Sequence, residues 1–170
     1  MNRPEKLSDR DTIIYEVDML NYCYKKLVQE RAPNLQSYLL LECFLLHYRN
    51  LLDFFGKEPH RDDLSVRRTE DWVPDPGPDK GRVQSLEANG RMLWQEYEDR
   101  NQRSDTISRY LHHCTKQRTE AKDWPVGEMY LKIRPLIQEF LQISGHGQRS
   151  VVDGDRHVVG GEGMTTMTVR

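Results

Sequence analysis

From Ile13 to Leu141, apolar residues return every three or four positions, the spacing of amphipathic helices. Ser8 followed by Asp11 marks a first helix start, and Ile13, Val17, Leu20, Tyr24 and Leu27 give one face of a helix running to about residue 30. Ala32-Pro33-Asn34 ends it and starts a second helix over about 35–55. That segment is apolar on most of its circumference, from Tyr38 through Leu45 to Phe54, which predicts the central helix of a bundle stopped by Gly56.

Residues 57–82 read as a long crossover loop, with Pro74, Pro76 and Pro78 against helix and Trp72 as an anchor to the core. A third helix is expected over 84–99, weakened by Gly90. A fourth, capped by Ser104 or Asp105, carries Ile107, Leu111 and Cys114, and nothing firm separates it from the third. Trp124-Pro125 opens the last helix, with Val126, Met129, Tyr130, Ile133, Ile137 and Phe140 in strong period and Pro135 as a kink. The fold class expected is all-α: an up-down bundle of four to five helices. Residues 1–8 are a polar lead-in, 9–143 the bundle, and 144–170 a Gly-rich disordered tail in which Val151-Val152 and Val158-Val159 could form at most a weak hairpin.

Composition sharpens this picture. The 170 residues are enough for one core, and a mean hydropathy of -0.82 leaves much of the chain facing water. With 25 basic and 27 acidic residues the net charge is -2, so no global field draws the chain to nucleic acid or anionic lipid. The longest apolar runs are too short to span a bilayer. No signal-peptide run opens the sequence, and Cys23, Cys43 and Cys114 are odd in number without a C-x-x-C pair. These features place the chain in the cytoplasm with reduced thiols and away from membranes.

Two clusters could carry chemistry. On the second helix Glu42, Arg49 and Asp53 fall in a stripe roughly 40° wide, with Asn50 beside it and His47 off it. The stripe is either that helix's solvated line or a buried polar network reaching another helix, with Arg109 as a member. The second cluster is Arg109 to Arg118, where His113 lies four residues after Arg109. It is either a basic solvated face or an imidazole held neutral by guanidiniums, suited to a phosphodiester. The sequence predicts no cofactor and no metal: it has no Glu-x-x-His, no His-Glu-x-x-His and no P-loop. His112, His113 and Cys114 are adjacent, so on a helix they cannot converge on one ion.

Glu42-x-Phe44-Leu45-x-His47-x-Arg49-Asn50-Leu51-x-Asp53-Phe54, with His113-x-Thr115-x-x-Arg118 later, resembles a group of uncharacterised bacterial helical proteins over about residues 35–143. More distantly, Arg-Asn and His on neighbouring helices resemble HEPN domains, many of which are metal-independent ribonucleases that dimerise. Their usual signature is Arg followed by His after four to six residues. Here Arg49 has no such His, and Arg109 reaches His113 after three. The resemblance implies His47, Arg49, His113 and Arg118 as catalytic candidates acting on RNA. The reading that composition favours is a non-catalytic binding or regulatory module, with a protein partner or a second copy as its target.

Overall fold

The computed structural model describes residues 8–29, 34–68, 73, 80–99, 106–112, 122–147 and 167–169. The lead-in before Ser8, Trp72 and its proline run, the segment holding His113, Cys114 and Arg118, and the tail segment 148–166 all lie outside the described residues. The described residues form five helices and one pair of short strands: α1 (Asp9–Gln29), α2 (Leu35–Gly56), α3 (Lys80–Glu98), α4 (Ile107–His112), β1 (Lys122–Trp124), α5 (Val126–Ile143) and β2 (Met167–Val169).

Each boundary has a local cause. Ser8 Oγ accepts the Asp11 N–H at 3.1 Å at the start of α1. At α2 the Asn34 side chain accepts the Ser37 N–H and the Ser37 hydroxyl accepts the Asn34 N–H, a reciprocal capping box. Beyond α2, the Arg68 guanidinium gathers the carbonyls of His60, Arg61 and Asp63 at 2.7–2.9 Å and orders the first part of the crossover.

α1, α2, α3 and α5 form an up-down four-helix ring. α1 and α2, joined by only five residues, meet at Glu16 and Asn50; Asp53 meets Trp94 while the later Gly56 meets the earlier Gly90; and Lys132 meets Glu96 while the later Glu139 meets the earlier Arg82, so each successive pair runs antiparallel. The ring closes where the Tyr130 hydroxyl of α5 donates to Asn21 of α1 at 2.7 Å beside the stacked rings of Tyr24 and Tyr130. Inside it, Phe140 meets Phe54 and Phe55 edge-on across the core. α4 packs on α2 and α3 through buried Ile107 and Tyr110.

The structure corrects five expectations. α3 begins at Lys80, so the crossover is shorter than 57–82. Its first turn holds because Arg82 reaches α5, with Nε to Glu139 at 2.6 Å and Nη2 to Gln142 at 3.1 Å. α3 and α4 are separate helices; the Thr106 hydroxyl accepts the Arg109 N–H, while Ser104 and Asp105, expected as caps, lie outside the described residues. Trp124 belongs to β1, not to the last helix: Lys122, Asp123 and Trp124 pair antiparallel with Val169, Thr168 and Met167. Three-residue strands are too short to leave a period in the sequence. Gly90 is more than a weak point in α3, because it is where α2 and α3 touch. Finally, α2 packs against α1, α3 and α4 but is not enclosed on every side. A ring of four helices leaves every helix an outer face, and on α2 that face carries Leu35, Leu39 and Leu46, all exposed.

Candidate functional site

The polar residues of α2 divide between its two neighbours. His47 and Asn50 face α1. Glu16 Oε2 receives His47 Nδ1 at 2.7 Å and Asn50 Nδ2 at 3.0 Å. A carboxylate can only accept, so the hydrogen of this bond sits on Nδ1. His47 is only 5% exposed and Tyr15 stands edge-on to its ring at 5.7 Å. This is a positioned imidazole, with Glu16 as the group that orients it.

Asp53 faces α3. Its Oδ1 accepts the Trp94 indole N–H at 2.9 Å, and its Oδ2 takes Arg49 Nη2 at 3.4 Å and Lys57 Nζ at 3.7 Å. Lys57 also lies 3.6 Å from Asp63. The His60 backbone N–H, with Lys57 assisting, holds the Asp63 carboxyl below its ordinary value. Glu98, at the end of α3, is buried and accepts the Ser108 N–H at 2.9 Å, fastening α4. Burial pushes its carboxyl up, against the lowering pull of Ser108 and Arg49.

The stripe of Glu42, Arg49 and Asp53 is neither fully solvated nor fully buried, and through Asp53 it reaches α3. All three are half-buried, and for Arg49 and Asp53 about a quarter of the side chain reaches solvent. Arg109 is exposed on α4. His113 and Arg118 lie outside the described residues, so of the four catalytic candidates the structure brings together His47 and Arg49 on one helix, turned to different neighbours.

Between α1, the end of α2 and the loop after it lies an open cleft of about 200 Å³ lined by Glu16, Asn50, Asp53, Lys57 and Asp63 over Phe54. Its charges are largely spent on one another, since Lys57 bridges Asp53 and Asp63 while Glu16 holds His47 and Asn50. Among the described residues, no group of three or more His, Cys, Asp or Glu is placed to hold a metal ion. Nor is any helix there long and apolar enough to cross a membrane.

The largest departure from ordinary surface chemistry lies outside the cleft. Tyr15 and Tyr22, seven apart on α1, are 48% and 53% exposed; Leu39 and Leu46, seven apart on α2, are 60% and 38% exposed. Leu35 continues the α2 line. Residues seven apart lie on one side of a helix. On each helix the seam residues (Glu16 and Cys23; Cys43, His47 and Asn50) stand between the buried face and the exposed line. The two exposed lines thus flank one seam on its outer side, and Lys26 lies over the Tyr22 ring.

Sequence reasoning missed Glu16, Trp94 and Glu98 as members of the network. Glu16 left a trace, lying three after Ile13 and one before Val17 at the margin of the apolar stripe. Trp94 and Glu98 left none, because their partners are 41 and 10 residues away. Comparison with protein-family models, curated proteins and solved structures found no match.

Proposed function

We propose that this chain is a non-catalytic binding module that docks a protein partner on the outer face of the α1–α2 hairpin. The observation that carries this reading is the exposure of Tyr15, Tyr22, Leu35, Leu39 and Leu46 along one face. Single exposed apolar side chains are ordinary, but a line of them on two adjacent helices marks an interaction surface. The mixture suits an amphipathic helix laid along the seam, with tyrosines offering both apolar area and a hydroxyl. The polar groups behind the face support the same reading. Glu16, His47, Asn50, Asp53 and Trp94 spend their hydrogen bonds on joining helices, a task that stiffens a scaffold.

The test compares affinity-tagged full-length chain with the Tyr22→Glu/Leu39→Glu double variant and with Met92→Glu, whose exposed side chain lies on α3 away from this face. Copurifying proteins are quantified by mass spectrometry, and self-association is followed by sedimentation. The reading expects a partner, or a second copy, held by the wild type and by Met92→Glu and lost from the double variant. Equal retention by all three chains overturns it.

A further inference from the structure

We propose that Cys23 and Cys43 form an oxidisable dithiol across the α1–α2 seam, a modification site that takes hydrogen peroxide as its oxidant. The inference is independent of the docking face. The Asn50–Glu16 hydrogen bond at 3.0 Å fixes the antiparallel register of the two helices. Moving seven residues, two helical turns, forward from Glu16 and back from Asn50 arrives at Cys23 and Cys43. The two free thiols therefore oppose each other, and they stand within hydrogen-bonding reach. Joining them closes that gap to a bond of about 2.05 Å.

Their surroundings assign different roles. Cys43 is half-buried and reaches solvent, while Cys23 is fully buried. Burial pushes the Cys23 thiol up to about 12, with its contact to Cys43 adding to the rise. Such a thiol is inert toward a solvent oxidant, so Cys43 reacts first. Its thiolate attacks the peroxide: the O–O bond breaks, an S–O bond forms, and with a proton from solvent one water leaves. The Cys23 sulfur then attacks Cys43 Sγ. The S–O bond breaks, the S–S bond forms, and the departing hydroxide takes the Cys23 proton to leave as a second water. Two thiols are oxidised by two electrons in all and one peroxide is reduced. The disulfide staples α1 to α2 directly beneath the seam, and a thiol reductant returns it.

The experiment uses the full chain carrying Cys114→Ser, treated with hydrogen peroxide, alkylated and digested without reduction. The expected product is a Cys23–Cys43 cross-linked peptide about 2 Da lighter than the sum of its two thiol peptides. Cys23→Ser in that background should accumulate Cys43 sulfenic acid, captured by dimedone, while Cys43→Ala should leave Cys23 as an unoxidised thiol. Circular dichroism of each variant confirms that the helices remain. Conversion of Cys43 to sulfinic acid with no cross-link overturns the proposal, as does preferential oxidation of Cys23 when Cys43 is absent. A wild-type chain whose peroxide-formed disulfide joins Cys43 to Cys114 instead would overturn the pairing.

Discussion

Gly56, the last residue of α2, and Gly90, in the middle of α3, meet so closely that neither position has room for a side chain. A Cβ on Gly56 would collide with the Gly90 carbonyl, and a Cβ on Gly90 would lie 2.6 Å from both Phe55 Cβ and the Phe55 carbonyl oxygen. Glycine inside a helix ordinarily costs about 1 kcal/mol relative to alanine. Here it allows two backbones to touch, so the usual sign reverses. Gly90→Ala should destabilise the chain by about 1–3 kcal/mol, as overpacking does, despite its better helix propensity. Urea unfolding measures this; a stabilised variant would mean that the contact relaxes freely.

Leu45 has no exposed surface, although α2 does have an outer face. Leu45→Ala should cost about 2–5 kcal/mol in the same measurement. A loss below about 1 kcal/mol would place Leu45 outside the close-packed interior.

The Glu16 carboxylate serves two donors of α2. Glu16→Ala strands the His47 Nδ1–H and the Asn50 amide at the seam, and a buried donor left unpaired costs about 1–3 kcal/mol. A double-mutant cycle between Glu16→Ala and His47→Ala should give a coupling of about 0.5–3 kcal/mol, whereas Glu16→Ala with Arg82→Ala, on α3 and engaged with α5, should be additive. Zero coupling in the first cycle would dismiss the pair as an energetic clamp.

Glu98 supplies a pH dependence. Burial raises its carboxyl, so folded Glu98 keeps its proton to a higher pH than unfolded Glu98. Between those two values the native state binds more protons, and stability must fall as pH rises across that window. Below the unfolded value, about 4.3 for glutamate, the penalty is absent. Glu98→Gln keeps an acceptor for the Ser108 N–H without the charge. The variant should therefore unfold at higher urea than wild type at pH 7, with the advantage shrinking toward pH 4. An advantage of equal size at both pH values would point to packing instead of charge.

The helices were legible because each carries its own evidence. The apolar period of α1 and α5, the Asn34 cap and the stop near Gly56 are local, and local signals survive without knowledge of the fold. The bundle architecture followed from the same periodicity. The candidate site was legible only in part. His47, Arg49, Asn50 and Asp53 stand out as polar residues on an apolar helix, but which neighbour each one faces depends on how α1 and α3 dock. Asp53 and Trp94 are 41 residues apart, and no spacing rule links them.

Chain order and side-chain chemistry by themselves determined that helices form, where most begin, and that a polar stripe interrupts α2. Tertiary structure alone decided the rest. It placed Gly90 against Gly56, turned His47 toward Glu16 and Asp53 toward Trp94, and set Cys23 opposite Cys43. It also left Leu35, Leu39 and Leu46 uncovered on a helix whose apolar circumference reads as fully buried. The physical reason is that burial belongs to the packed assembly. A helix fixes which residues share a face, but only docking, where the interdigitation of whole surfaces fixes register and rotation, decides which faces meet protein and which meet water.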